Sequence, residues 1–170
     1  MGVSGSGKTT SGTLLAEELG RRFVDGDDLH PPSNKQKMAL GYPLDDFDRE
    51  PWLKSVGQQL ALSPAPVVAC SALKVSYRDA IRKVSPATIF IHLVGPPSLI
   101  AIRVADRAHE YMPASLLQSQ FETLEPLGPT ESGFVVDTEG SPTSMVEIIA
   151  RSTRAGAVLP EQLPSASERD

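Results

Sequence analysis

The sequence predicts an α/β fold, a three-layer sandwich with a parallel β-sheet covered by helices on both faces. Three observations lead there. Short runs with strand character alternate with helical patterns over residues 1–151. The run at 88–94 is nearly continuous in apolar character, as a strand buried on both faces requires. Residues 2–9, Gly-Val-Ser-Gly-Ser-Gly-Lys-Thr, form a glycine-rich phosphate loop that opens directly into a helix.

The elements follow in order. Leu14, Leu15 and Leu19 make the apolar stripe of a helix over 8–19, stopped by Gly20. A short strand spans 22–25. Helical patterns cover 32–40, broken by Gly41-Tyr42-Pro43, and 48–62, with Asp48 as the expected N-cap. A buried strand at 67–70 precedes a helix at 77–84 and the strand at 88–94. Pro97 and Pro113 each stand where a helix would start. The second of these helices places Leu116, Leu117, Gln120, Phe121 and Leu124 on one side. A strand at 134–136 and a helix opened by Ser141-Pro142 complete the domain. From residue 152 the chain turns to Ser, Pro, Ala, Glu and Arg without periodicity and reads as a disordered tail, 152–170.

The phosphate loop matches G-x-x-x-x-G-K-[ST] at Gly2, Gly7, Lys8 and Thr9. Its backbone, through Gly2, Val3, Ser4, Gly5, Ser6, Gly7, Lys8, Thr9 and Thr10, is expected to cradle the phosphates of a nucleoside triphosphate. Lys8 places a cation on the β- and γ-phosphates, and the Thr9 hydroxyl is a ligand for Mg²⁺. The loop normally hangs from a buried strand, and here it lies beside Met1. The first strand is therefore expected to be truncated: either Met1 is an internal methionine read as a start, or the strand is absent and low stability follows.

Motor and signalling NTPases carry an apolar strand ending in Asp; here Val67-Val68-Ala69-Cys70 ends in Ser71. The acidic residues lie instead at Asp25-Gly26-Asp27-Asp28. Two residues apart in a strand share a face, so Asp25 and Asp27 are expected to reach one cleft. One supports the metal shell and the other accepts the proton of an attacking hydroxyl. Open α/β sheets bind ligands at this end of their strands.

Composition narrows the classes. At 170 residues, 40% hydrophobic and 22% charged, the chain fits one domain with a sizeable core. A net charge of −5 argues against a nucleic-acid partner. A single cysteine, Cys70, excludes an internal disulfide and fits a reducing cytoplasm. No run reaches the roughly 20 apolar residues of a membrane span, and no signal peptide is expected.

Several long motifs then resemble the small P-loop gluconate kinases. They are Phe23-Val24-Asp25-Gly26-Asp27-Asp28-Leu29-His30-Pro31; Asn34, Lys37-Met38, Gly41 and Pro43-Leu44; Asp46-x-Asp48-Arg49-x-Pro51-Trp52-Leu53; Ala69-Cys70-Ser71-Ala72-Leu73-Lys74-x-x-Tyr77-Arg78-Asp79; and Met112-Pro113-x-x-Leu116-Leu117-x-Ser119-Gln120-Phe121-Glu122-Thr123-Leu124-Glu125-Pro126. The similarity covers about residues 1–150. It implies a nucleoside kinase- or shikimate kinase-like P-loop fold, with a substrate-binding helical insert at about 31–63 and a lid at about 104–113. It implies transfer of the ATP γ-phosphoryl group to the 6-hydroxyl of D-gluconate, with Mg²⁺, in the cytoplasm; the family often forms dimers, which leaves the oligomeric state of this chain open.

Within that resemblance, Asp27 is the residue expected on the reacting hydroxyl and Asp25 in the Mg²⁺ water shell. Arg49 and Arg78 are candidates for the substrate carboxylate, which a guanidinium binds bidentately. Lys74, His30 and Gln120 are expected to line the same pocket. Arg103 and Arg107 lie one helical turn apart beside the lid, and Arg107 is placed to close on the phosphates. Many relatives carry Gly-His-Phe before Met-Pro where this chain has His109-Glu110-Tyr111, which leaves the lid's contacts open. The loop at 137–142 sits where such folds hold adenine. Asp48 and Asp79 read equally well as a cap and a surface charge; Trp52, Tyr77 and His92 read as core, and Cys70 as a buried apolar group. Two other functions stay open: a kinase for shikimate, a nucleotide or another sugar acid, and a nucleotide-binding protein without turnover.

Overall fold

The computed structural model describes residues 1–106 and 114–154. Seven helices and four strands are present among them: α1 (Lys8–Glu18), β1 (Phe23–Asp25), α2 (Pro32–Ala39), α3 (Asp46–Leu60), β2 (Val67–Ala69), α4 (Val75–Val84), β3 (Phe90–Val94), α5 (Pro97–Ala105), α6 (Ala114–Thr123), β4 (Gly133–Asp137) and α7 (Pro142–Arg154). A short 3₁₀ helix, Gly26–Leu29, follows β1. The last helix runs three residues past the domain boundary expected at 151. Of the expected lid, residues 107–113 lie outside the described residues, as do 155–170 of the expected tail.

The strands pair in parallel as expected, but in two halves. β1 pairs with β2, Phe23 opposite Val67, and β3 pairs with β4, Phe90 opposite Gly133. Met1 and Gly2 stand between the halves. The Gly2 N–H donates to the Ser71 carbonyl (3.2 Å), the Leu93 N–H donates to the Met1 carbonyl (2.9 Å), and the Met1 amine donates to the Ile91 carbonyl. Beyond Met1 a cavity of about 370 Å³ separates β2 from β3, walled by Leu15, Val56, Val68, Ile81, Phe90 and Leu93 among others. Burial holds the Met1 amine down to about 5, so it is neutral at pH 7.

Successive side chains of β3 go to opposite cores. Leu93 packs with Leu15, Phe134, Val136, Met145 and Ile149, the layer of α1 and α7. Phe90 packs with Trp52, Val56, Tyr77 and Ile81, the layer of α3 and α4. That alternation is the strand period of two at work, and it gives the three-layer arrangement. A third cluster, Val3, Leu73, Ile100, Val104 and Leu117, lies beneath the phosphate loop.

The cap of α3 differs from expectation. Asp45, in an extended conformation, is the N-cap, and Asp48 is the third helical residue that answers it. Asp45 accepts from the Asp48 N–H (2.9 Å) and Asp48 accepts from the Asp45 N–H (2.9 Å), a capping box. The reciprocal pair satisfies two helix-end donors, where Asp48 alone as a cap would satisfy one. The helix therefore begins two residues earlier than the apolar stripe suggests.

Candidate active site

The phosphate loop turns as its glycines require. Gly5 and Gly7 take φ of 79° and 87°, and a Cβ on Gly5 would lie 2.6 Å from the Val104 side chain. The loop is thus pressed against α5, with Gly7 as the left-handed cap of α1. Lys8 reaches back over the loop and donates to the Val3 carbonyl (2.8 Å). A cleft of about 250 Å³ beside it is lined by Gly5, Ser6, Gly7, Thr10, Arg103 and Met145 among others. Arg103 also donates to the Thr138 carbonyl (2.7 Å), tying α5 to the loop after β4. The nucleotide candidates of α1, α5 and the 137–142 loop are therefore neighbours; Arg107 lies outside the described residues.

Gln120 is drawn into this loop. Its Oε1 accepts from the Ser4 N–H (2.7 Å), so it braces the phosphate loop from α6. This support role engages the amide oxygen and stands beside the substrate-pocket place expected of the residue.

Asp25 closes β1 and bonds in two directions. Its Oδ2 lies 3.4 Å from the Thr9 hydroxyl, and its Oδ1 accepts from the Asp27 N–H (3.1 Å). Asp27 is not in the strand. It sits in the first turn of the 3₁₀ helix, so the shared-face argument does not hold; an Asx-type bond joins the Asp25 carboxylate to the Asp27 backbone N–H instead. Asp27 is exposed. Thr9 and Asp25 offer an all-oxygen donor set of the kind that suits Mg²⁺, which keeps several waters and takes few protein ligands. Among the described residues no cluster of three His, Cys, Asp or Glu side chains converges into a fuller metal cage.

The acidic turn is held from α3. Trp52, fully buried, donates its indole N–H to the Gly26 carbonyl (2.7 Å) and stacks on the His30 ring with centroids 4.4 Å apart. Burial first, then Arg49 and Lys35, hold His30 down to about 4. The ring is neutral at pH 7, and Asn34 lies at its Nδ1 (3.4 Å). His30 therefore shapes the turn as a packed, uncharged ring. Trp52 was expected to be core; it is core, and it also fixes the backbone beside Asp27.

The expected cations separate into two kinds. Arg78 is corrected: it is completely buried, and its guanidinium is consumed internally. It binds both carboxylate oxygens of Glu131 at 2.7 Å and donates to the carbonyls of Ala72, Leu73, Glu125 and Pro126. A desolvated guanidinium needs every donor paired, which leaves none for a substrate. What it clamps is the loop ahead of Lys74, where Ala72 holds a strained φ of 41°. Hydrogen bonds from Arg78, ahead of those from Arg82, hold the Glu131 carboxyl at about 2. Nothing in the local pattern around Glu131 signals this role, since its partner is 53 residues away.

Arg49 and Lys74 are the accessible pair. Both lie over the Tyr77 ring, at 5.7 and 5.1 Å from its centroid. Lys74 contacts both oxygens of Asp46 (3.0 and 3.1 Å), and the Tyr77 hydroxyl donates to the same carboxylate (2.5 Å). Cys70 is buried and its thiol is pushed up to about 11, so it is an apolar filler as expected. His92 is likewise core, 4% exposed.

A glycine-rich phosphate loop, an acidic strand-end turn and a cation pair on one α/β scaffold define a P-loop kinase. The shikimate kinase family profile matches residues 4–152. The chain is 43% identical to a gluconokinase of Gluconobacter oxydans over 159 residues, covering 91% of this chain and 89% of that one. It is 46% identical to the thermosensitive gluconokinase of Escherichia coli over 129 residues, 74% of this chain and 69% of that protein. A solved gluconokinase of Sinorhizobium meliloti superposes with a TM-score of 0.80 at 41% identity, covering 92% of this chain and 94% of that one. The chain belongs to the gluconokinase family.

Proposed function

We propose that this protein transfers the γ-phosphoryl group of ATP to the 6-hydroxyl of D-gluconate, giving 6-phospho-D-gluconate. The observation that carries the reading is the joining of phosphate loop and acidic turn through Thr9 and Asp25, with the Arg49–Lys74 pair on the neighbouring helices. The loop amides and Lys8 stabilise charge on the moving group. Asp27 orients the acceptor hydroxyl and takes its proton. Arg49 and Lys74 hold the acid's carboxylate, and Arg103 steadies the nucleotide side. Thr9 and Asp25 would hold Mg²⁺, which when bound offsets phosphate charge. Closure of Arg107 onto the phosphates, a cytoplasmic location and a homodimeric assembly belong to the same proposal and rest on the family resemblance. No helix among the described residues is long and apolar enough to cross a membrane.

A coupled assay with ATP and a panel of polyol acids, nucleosides and shikimate tests the substrate. Turnover is expected with D-gluconate above the rest; turnover with another acceptor alone rejects the reading. Asp27→Asn is expected to lower kcat by roughly 10²–10⁴, and unchanged turnover removes Asp27 from the chemistry.

A further inference from the structure

Asp46 pairs with Lys74, one of the two cations assigned above to the substrate's carboxylate. It is the second member of the Asp45-Asp46 pair at the start of α3, and its side chain is 67% exposed. Two groups bond it, the Lys74 ammonium on both oxygens and the Tyr77 hydroxyl on Oδ1, and the Arg49 guanidinium lies 5.7 Å from the centroid of the same phenol ring. Hydrogen bonds from Tyr77 and then Lys74 hold the Asp46 carboxyl below its usual value, with Arg49 acting in the same direction. This is the donor set of a carboxylate-binding site, already filled by a residue of the chain.

As the first residue of α3, Asp46 lies in the positive field of the helix N-terminus but does not cap it. The cap belongs to Asp45 and Asp48, which bond each other, and Lys37 pairs with Asp48 and Asp45. Among the described residues, the side-chain partners of Asp46 are Lys74 and Tyr77, across from it at the start of α4.

We propose that Asp46 is a specificity-determining residue, an internal carboxylate that pairs with Lys74 and Tyr77 and competes for them with the substrate's own carboxylate. The inference rests on the gluconate reading above and adds a competitor to it. A neutral polyol cannot expel Asp46 from Lys74, because it brings no charge to replace the one it removes. An acid can, and the exchange of one carboxylate for another is nearly neutral electrostatically. Asp46 thereby lowers affinity for every ligand while favouring acids over neutral polyols.

The test is steady-state kinetics with D-gluconate for wild type, Asp46→Asn, Lys74→Gln and the double variant. Asn keeps the shape and an acceptor for Tyr77 but drops the charge. Asp46→Asn is expected to lower the KM for gluconate by about two- to fivefold, the range of an exposed ion pair, while the KM for ATP stays. In the Lys74→Gln background the same change is expected to have no effect on the KM for gluconate, because the contested cation is gone. An unchanged or raised KM for gluconate in Asp46→Asn overturns the proposal, the raised value meaning that Asp46 binds substrate hydroxyls or props Lys74. So does an equal drop in both Lys74 backgrounds. If the wild type does not phosphorylate gluconate, the functional reading fails instead, and titration of gluconate into wild type and Asp46→Asn by calorimetry decides the inference alone: tighter binding in the variant upholds it, equal or weaker binding ends it.

Discussion

Trp52 donates its indole N–H to the carbonyl of Gly26, 2.7 Å away, so a helix of the insert fixes the peptide between Asp25 and Asp27. Trp52→Phe keeps the stack on His30 and removes the donor. Leaving that buried carbonyl unmatched costs about 1–3 kcal/mol. The melting temperature is expected to fall by roughly 2–10 °C, and kcat to fall with little change in the KM for ATP, because the nucleotide loop does not touch Trp52. Thermal melts and kinetics check it; a variant with lowered stability and unaltered kcat shows that the bond serves the fold alone.

Glu131 is the counterpart of fully buried Arg78, and also receives Arg82 (2.6 Å). Glu131→Gln leaves a desolvated guanidinium without its charge partner, which costs about 3–5 kcal/mol in buried pairs. Unfolding by urea is expected to move to markedly lower concentration. The KM for gluconate is expected to rise as the Ala72–Leu73 turn ahead of Lys74 loosens. A midpoint within error of wild type contradicts the clamp.

Much of this was legible in the sequence, for identifiable reasons. The element order, the parallel pairing and the phosphate loop are local patterns, and they appear where expected. Asp27 is joined to Asp25 by an Asx bond through its backbone N–H and does not share a strand face with it, because a three-residue strand ends too soon to carry both. Arg78 was misassigned since its sequence surroundings match a substrate motif, while its neutraliser Glu131 is remote in sequence. The start of α3 was missed because a reciprocal Asp45–Asp48 cap extends the helix into a polar stretch. Gln120's hold on Ser4 spans 116 residues and leaves no periodic trace.

Acid is expected to weaken the fold well before the carboxylates titrate in bulk. Burial holds His30 and His92 at about 4, against 6.5 when unfolded. The unfolded chain then takes up protons between pH 6.5 and 4 that the folded chain refuses, so stability falls as pH drops through that window. Glu131 adds a loss between 4.5 and 2. Urea midpoints measured from pH 8 to 4 should decline steadily, and His92→Leu should flatten the 6.5-to-4 limb. A midpoint that holds level over that range contradicts the buried neutral rings.

The cavity between β2 and β3 has the walls of a strand site. Joining about six to eight apolar, β-prone residues ahead of Met1, a strand's usual length, should fill it and bridge the two half-sheets. Each buried backbone group that gains a partner contributes about 1–3 kcal/mol, so a rise in melting temperature of about 5 °C or more is expected. An unchanged melt, with the added residues cleaved readily by protease, contradicts a strand-shaped slot.

The central claim is phosphoryl transfer to one hydroxyl of a sugar acid, and following the ³¹P spectrum of the protein with Mg²⁺, ATP and D-gluconate tests it most directly. The expected result is loss of the γ-phosphate signal with stoichiometric growth of a phosphomonoester on carbon 6 of gluconate. Release of inorganic phosphate alone, or ATP bound and left intact, would contradict it.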